Sequence, residues 1–194
     1  MAEISIVCGL GNPGPRYHST RHNLGFMALD SVSKRHFLSW RRAAGPSQRS
    51  FWTVGGREVT LIKPLLYMNE SGVAMARYGI ASSEALLVVC DDLNLPLGSL
   101  RFRTGGGSGG HKGLDSIIEH LGTEEFPRLR MGIGGAPPDT DWVEFVLSEF
   151  LPGERASAME MIATAAEAVE TAVRDGLDAA MQRFNRTDGP PGCA

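Results

Sequence analysis

The chain has 194 residues, of which 42% are apolar and 21% are charged, and its formal net charge is -3. These values are typical of one globular domain, and the mild negative charge argues against a protein that coats nucleic acid without selectivity. No run of residues approaches the about 18 apolar residues of a membrane span, and the N-terminus shows no basic leader followed by a long apolar run, so we expect no secretory signal. Cys8, Cys90 and Cys193 are odd in number and far apart, which indicates a reduced, cytoplasmic chain.

Apolar strands alternate with helices along the whole chain. The predicted strands are Ile4–Leu10, Ser50–Val54, Val59–Ile62, Leu86–Cys90, Ser99–Arg103 and Arg128–Ile133. The predicted helices are Asn23–Phe37, Ser71–Tyr78, Gly113–Leu121, Gly153–Asp175 and Leu177–Phe184. Loops are expected at Arg41–Ser47, Gly105–Gly110 and Gly135–Asp141.

This order predicts an α/β fold with one domain. Strands that alternate with helices form a sheet covered on both faces, a three-layer α/β/α sandwich around a mixed, largely parallel twisted sheet. Gly55-Gly56 between two short strands is typical of a hairpin, which makes the sheet mixed. We expect the domain to span residues 1–186 and the Gly/Pro-rich tail at 187–194 to be flexible.

The first strand runs into Gly9-Leu-Gly-Asn-Pro-Gly14, which matches the G-x-G-x-x-G pattern of dinucleotide-binding loops. Pro13 and Pro15 interrupt the free N–H groups that would hold a pyrophosphate. The acidic residue at the expected offset, Asp30, lies inside a predicted helix rather than after a second strand. We therefore disfavour a nucleotide site and expect no cofactor.

His22 and Asp91 are the best candidates for acid–base chemistry. His22 stands at a predicted helix start, where backbone N–H dipoles keep an imidazole available as a base. Asp91 follows an apolar strand at the edge where open α/β sheets place ligands, and a carboxylate there could fix the imidazole tautomer. Asp92 should point to the other face by strand alternation. The alternative that Asp91 only caps a turn stays open.

Two further segments place polar groups next to helix starts. Asn69 precedes a predicted helix, and by itself it fits an N-cap or near-cap residue. The segment Thr104–Gly113 has five glycines before His111-Lys112-Gly113, which favours a mobile loop whose backbone approaches a phosphate or ribose. The motif histidines lack partners at zinc-ligand spacing, so we expect no metal.

Tyr17-x-x-Thr-Arg-His-Asn-x-Gly25 resembles the signature of bacterial peptidyl-tRNA hydrolases, and the resemblance extends over four ordered blocks from Ile4 to Leu151. That family cleaves the ester between a peptide and the 3′-terminal ribose of tRNA, which recycles tRNA from prematurely released peptidyl-tRNA. The resemblance implies that His22 is the general base, that Asp91 orients it, and that Asn12 holds the carbonyl or the water.

The same resemblance implies binding roles for seven other residues. Tyr17, Tyr67, Asn69, His111 and Lys112 would contact the substrate, and Arg103 and Arg130 would hold the 5′-terminal phosphate of the tRNA acceptor stem. Arginine suits that task because its planar guanidinium binds phosphate in a bidentate way. Lys112 stands where the family has Asn, so any role that needs an amide carbonyl is lost there.

The implied partner is peptidyl-tRNA, bound by its acceptor stem and 3′ end, and the implied protein is a monomer without an obligate protein partner or membrane. Two alternatives stay open. One is a non-catalytic RNA-binding relative of the same fold, like the plant organellar splicing factor of this family. The other is a nucleoside or phosphate-ester enzyme on a similar sandwich. An assay of ester cleavage separates both from the enzyme.

Overall fold

One seven-stranded sheet forms the centre of the computed structural model, which describes residues 3–43, 45–78, 80 and 83–185. Its strands are β1 Ile6–Gly9, β2 Arg41–Arg42, β3 Ser47–Val54, β4 Arg57–Pro64, β5 Leu86–Asp92, β6 Leu100–Arg103 and β7 Arg128–Gly132. They lie in the order β2-β3-β4-β1-β5-β7-β6. The central pairs β4–β1, β1–β5 and β5–β7 are parallel, and the outer pairs β2–β3, β3–β4 and β6–β7 are antiparallel. The predicted mixed, largely parallel sheet is therefore confirmed.

Helices cover both faces of this sheet. They are α1 Leu24–Arg35, α2 Ser71–Met75, α3 Lys112–Leu121, α4 Trp142–Val146, α5 Arg155–Asp175 and α6 Leu177–Phe184. In β5, Leu87 and Val89 belong to the core that also holds side chains of α1, α5 and α6. The alternate residues of β5 belong to a second core with α2 and α3. This alternation confirms the three-layer sandwich. None of the helices in the described ranges combines the length and apolar character that crossing a membrane requires.

Two short elements differ from the sequence prediction. The segment Arg41–Ser47 was expected to be a loop, but Arg41 and Arg42 form β2, an edge strand opposite Arg49 and Gln48. A strand of two exposed residues has no alternating pattern that periodicity could reveal. Helix α4 was not predicted, because its five residues are too few to show a helical period. The expected flexible tail at 187–194 lies outside the described residues.

A close contact between α1 and the sheet determines where the polar cluster after β1 lies. A Cβ on Gly25 would meet the Val89 carbonyl oxygen at 2.3 Å and the Leu10 nitrogen at 2.4 Å. Only glycine allows the first turn of α1 to approach β1 and β5 this closely. The residues just before α1, including His22, are thereby held against the carboxyl end of β5.

Candidate active site

A cavity of about 720 Å³ opens at the edge of the sheet where β5 ends. Nine of the ten residues singled out in the sequence line it: Asn12, Tyr17, His22, Tyr67, Asn69, Asp91, His111, Lys112 and Arg130. The tenth, Arg103, is exposed on β6 and is not among the lining residues. Residues from five separate segments thus meet in one place, as parallel strands that end at a common edge would predict.

His22 and Asp91 form a buried hydrogen-bonded pair in this cavity. His22 lies in the 3₁₀ turn Arg21–Asn23 that leads into α1, and Asp91 is the sixth residue of β5. The Nδ1 of His22 lies 2.9 Å from one carboxylate oxygen of Asp91 and 3.0 Å from the other. Because a carboxylate only accepts, Nδ1 carries the proton and Nε2 is the ring nitrogen left to accept from a ligand. The pair therefore has the tautomer that a general base requires.

His111 contacts the same carboxylate from the start of α3. Its Nε2 lies 3.1 Å from Oδ1 of Asp91, and its ring centroid lies 4.8 Å from that of His22. Burial by itself would raise the pKa of Asp91, but the charges and hydrogen bonds of His22 and His111 outweigh it and hold that pKa well below its ordinary value. Asp91 therefore remains ionised, and the alternative that it only caps a turn is wrong.

The potential ligand atoms of His22, Asp91 and His111 lie within 4.8 Å of one another, which is close enough to consider a metal ion. The hydrogen bonds argue for a different use. The two histidine nitrogens that face Asp91 carry protons, and a metal would have to displace both. His111 would then need its proton on Nδ1, where the backbone N–H groups of Gly113 and Leu114 already donate. The donor set is that of a hydrogen-bonded cluster.

Asn12 is held rigidly beside His22. Its backbone N–H donates to Oδ1 of Asn23 at 2.8 Å, and its carbonyl accepts from Nδ2 of Asn23 at 3.0 Å. Its own Oδ1 accepts from the Met68 N–H at 2.8 Å. Because that oxygen is occupied, the Nδ2 amide is the part of the Asn12 side chain that can donate to a ligand.

Asn69 is exposed in the 3₁₀ turn Met68–Glu70, at the rim of the cavity. The N-cap position of α2 belongs to Glu70, and no side chain caps that helix start. Asn69 therefore stands one residue before the N-cap, in a near-cap position, and no hydrogen bond from its side chain to the helix start is found among the described residues.

Asp92, the residue next to Asp91, has different hydrogen-bond partners. Asp92 pairs with the Nε of Arg130 on β7, and its Oδ1 accepts from the Asn94 N–H at 2.8 Å. Arg130 faces the α2–α3 side of the sheet, since its neighbours Leu129 and Met131 belong to the other core. The predicted alternation of the two carboxylates is confirmed, and Arg130 reaches the cavity with its charge partly offset by Asp92.

The exposed rim of the cavity is aromatic and cationic. The rings of Tyr17 and Tyr67 are nearly perpendicular, with centroids 6.5 Å apart, and Tyr67 is 57% exposed. Lys112 is the first residue of α3, and its ammonium lies 3.8 Å from Asp115 with the side chain 73% exposed. Both kinds of side chain can therefore reach a ligand at the mouth.

One side of this cavity is an apolar wall that was not predicted from the sequence. Trp142, Val143 and Val146 of α4, with Leu147 after it, line the cavity, and Trp142 is 69% exposed. Asp141 caps α4 by accepting from the Val143 and Glu144 N–H groups at 2.7 and 3.1 Å. An Asp followed three residues later by Glu before apolar residues is a helix-start signal that could have located this element.

Arg21, the neighbour of His22, anchors that wall. Its buried guanidinium lies between the rings of Phe145 and Phe150, 4.6 Å from each centroid, and pairs with Glu154 at 2.6 Å. Its backbone N–H also donates to the Ser148 carbonyl at 3.0 Å. The turn Arg21–Asn23 therefore places His22 in the cavity and also holds α4 in position through the contacts of Arg21.

Both the sequence and the fold are similar to those of one known family. A family model described as Peptidyl-tRNA hydrolase matches residues 6–191. The chain is 46% identical over 184 residues to a peptidyl-tRNA hydrolase of Chloroflexus aggregans, covering 93% of this chain and 98% of that protein. It is 48% identical over 177 residues to the one from Rubrobacter xylanophilus, covering 91% and 98%. The crystal structure of peptidyl-tRNA hydrolase from Acinetobacter baumannii is similar with a TM-score of 0.88 at 32% identity, covering 95% of this chain and 96% of that one.

Proposed function

The chain belongs to the peptidyl-tRNA hydrolase family, which makes it an ester hydrolase of peptidyl-tRNA, and we propose that His22, oriented by Asp91, is its general base. The observation that carries this proposal is the double contact of the Asp91 carboxylate with Nδ1 of His22, inside the cavity. Nε2 of His22 takes a proton from a water molecule as that water attacks the ester carbonyl. Asp91 stabilises the imidazolium that forms and stays ionised throughout.

The developing oxyanion needs a fixed donor. The Nδ2 amide of Asn12 supplies it, because the hydrogen bonds to Asn23 and Met68 hold that residue before substrate arrives. Asn69 at the rim binds the backbone of the peptide. The proton on His22 then passes to the ribose oxygen as the ester bond breaks, which releases the peptide and free tRNA.

No covalent intermediate is needed in this scheme. Cys90, the cysteine nearest Asp91 in sequence, is buried in β5, and burial raises the pKa of its thiol well above its ordinary value. A neutral, enclosed thiol is a poor nucleophile. Direct attack by water is therefore the simpler route.

The nucleotide end of the substrate lies on the aromatic and cationic side of the mouth. Tyr17 and Tyr67 offer ring faces to the unpaired terminal adenine. His111 and Lys112, at the end of the glycine loop, lie beside the 3′-terminal ribose and its phosphate. Arg130 and Arg103 contact the 5′-terminal phosphate of the acceptor stem, and the phosphate competes with Asp92 for Arg130.

The partner of the chain is the acceptor stem and 3′ end of peptidyl-tRNA, and the protein acts as a monomer in the cytoplasm. Free thiols at Cys8 and Cys90 support a reducing compartment. Light scattering of the purified chain at working concentration tests the monomer, and a mass of twice the chain would contradict it.

Release of free tRNA from an N-blocked aminoacyl-tRNA tests the function. The wild-type chain should release it, and His22→Ala should lower turnover by about 100- to 10,000-fold, as loss of a general base does. His18→Ala is the matched control, because this exposed histidine of the same segment does not line the cavity. Near-normal turnover by a folded His22→Ala protein would contradict the mechanism.

A further inference from the structure

Helix α3 begins with an unusual cap. Its N-cap residue is His111, and the ring Nδ1 accepts from the backbone N–H groups of Gly113 at 3.1 Å and Leu114 at 3.3 Å. Ser, Thr, Asp and Asn are the common residues at this position, because their side-chain oxygens can accept these bonds. In His111 the ring nitrogen Nδ1 accepts these bonds instead, and Nε2 on the other side of the ring remains available for a second hydrogen bond.

The cap determines the tautomer of His111. A nitrogen that accepts from two backbone donors carries no proton, so the proton of the neutral ring is on Nε2. That Nε2–H points at Oδ1 of Asp91, 3.1 Å away. The start of α3 therefore converts His111 into a hydrogen-bond donor to the carboxylate that orients His22.

Asp91 is held from two sides as a result. Its Oδ1 accepts from both His22 and His111, and its Oδ2 accepts from His22. These are the titratable side chains that face Asp91 among the described residues. Asp92 and Arg130 pair with each other on the other face of the sheet, and Lys112 turns toward Asp115.

We propose that His111 is a positioning residue of the proposed hydrolase: it fixes the rotamer and the charge distribution of Asp91, and through Asp91 the orientation and basicity of His22. This inference rests on the proposed function of His22, and it gives His111 a role that needs no contact with substrate. The bond from His111 keeps the Asp91 carboxylate beside His22, where it stabilises the imidazolium that forms during the reaction. It also prevents Asp91 from rotating away from the geometry in which both oxygens face His22.

Two substitutions separate the cap from the donation to Asp91. In His111→Asn, the side-chain oxygen takes the place of Nδ1 and still caps α3, but the side chain is too short to donate to Asp91. In His111→Gln, the amide nitrogen takes the place of Nε2 and still donates to Asp91, but the common cap geometry is lost. Each variant retains one of the two hydrogen-bonding roles of the wild-type ring.

The measurements are Tm, kcat, KM and the pH profile of kcat/KM for cleavage of an N-blocked aminoacyl-tRNA. His111→Asn should keep the Tm and lose about 10- to 100-fold in kcat as misplaced catalytic groups do. It should also move the acidic limb of the profile to lower pH, because a carboxylate that turns away stabilises the His22 imidazolium less. His111→Gln should keep the limb and most of kcat and lower the Tm. An Asn variant with wild-type kcat and an unmoved limb overturns the proposal, and so does one that raises KM alone, which is the mark of a substrate contact.

A second measurement does not depend on activity. Imidazole ¹⁵N NMR reports which ring nitrogen of His22 carries the proton, and the Nδ1–H form should dominate in the wild-type chain and in His111→Gln. In His111→Asn this preference should weaken, and an unchanged His22 spectrum would overturn the positioning role. If the wild-type chain releases no tRNA, the proposed function fails, and the NMR comparison still decides whether His111 positions Asp91 and His22.

Discussion

Adjacent carboxylates on one strand have separate roles in this molecule. Asp91 faces the histidines, and Asp92 faces Arg130 and the Asn94 backbone. The separation follows from strand alternation, which directs successive side chains to opposite faces. A site that needs one oriented carboxylate and one charge-balancing carboxylate can thus draw both from consecutive residues at the end of β5.

Substitution of each aspartate tests this division. Asp91→Asn should keep the shape of the site but remove the acceptor that fixes the His22 tautomer, so we expect kcat to fall by about 100- to 10,000-fold with a much smaller change in KM. Asp92→Asn is the control of equal size and should cost far less in kcat. Steady-state kinetics on an N-blocked aminoacyl-tRNA measure both, and a damaging Asp92→Asn beside a silent Asp91→Asn would reverse the assignment.

At the scale of elements, two contacts bring the site together from distant parts of the chain. The first turn of α1 lies against β1 and β5 at Gly25, and α4 is tied to the residue before His22 through Arg21. Neither contact is part of the proposed chemistry. Both determine where the base and the apolar wall lie relative to Asp91.

The contact at Gly25 predicts a severe effect from one added methyl group. Gly25→Ala would place Cβ within 2.6 Å of three backbone atoms of Leu10 and Val89, so α1 must shift away from the sheet. Overpacking of this kind costs about 1–3 kcal/mol or more in the free energy of unfolding, and here the fixed backbone favours the upper end. Gly135→Ala is the control, because a Cβ there meets no atom within 4 Å. Urea unfolding compares them, and equal stability would disprove close packing of α1.

The wall formed by α4 predicts a preference for large apolar residues at the end of the peptide. Trp142→Ala should lower kcat/KM for an N-blocked phenylalanyl-tRNA by about fivefold or more, equivalent to about 1 kcal/mol of lost apolar contact, and should affect a glycyl substrate less. Met159→Ala removes a similarly exposed apolar side chain that does not line the cavity, and it should leave both substrates unaffected. Equal losses on the two substrates would mean that Trp142 does not contact the peptide side chain.

At the scale of the whole molecule, a net charge of -3 coexists with a basic face. Strand register places Arg101 opposite Arg130 and Arg103 opposite Arg128, so the four arginines share one side of the β6–β7 pair. Arg128 is buried and donates to the Gly107 and Glu124 carbonyls, which makes it structural. Of the other three, Arg130 lines the cavity, and Arg103 is exposed and does not line it. A localised basic face of this kind suits one defined polyanion better than general binding to nucleic acid.

Substitution of Arg103 tests phosphate binding by this basic face more cleanly than substitution of Arg130. Neutralising Arg130 would also leave Asp92 without its ion-pair partner. Arg103→Gln should weaken cleavage of full-length tRNA substrates but not of a blocked aminoacyl-adenosine, which has no 5′ phosphate. The slope of log(kcat/KM) against log salt should fall by about one unit, the share of one phosphate contact. Arg174→Gln at the exposed end of α5 is the charge-matched control. Equal losses on both substrates would remove Arg103 from tRNA binding.

The sequence alone determined the layers of the fold and most of the candidate site. Hydrophobic periodicity located six of the seven strands in the described ranges, because buried strands and amphipathic helices leave a regular trace in the chain. Helix-start and strand-end positions pointed to His22 and Asp91, and the resemblance to peptidyl-tRNA hydrolases implied the other seven residues that line the same cavity. Elements too short to show a period, β2 and α4, were missed for the same reason.

Only the tertiary structure decided how those residues act on one another. The bond from His111 to Asp91 joins residues 20 positions apart, and the Arg21 anchor joins residues separated by 133 positions. The pairing of Asp92 with Arg130 likewise depends on β5 and β7 lying side by side. Such pairings leave no pattern in the local sequence. They form only when packing of the chain makes particular strands and helix ends neighbours. Residue types and element positions could be read along the chain, whereas tautomers, ion pairs and the apolar wall depend on contacts made across it.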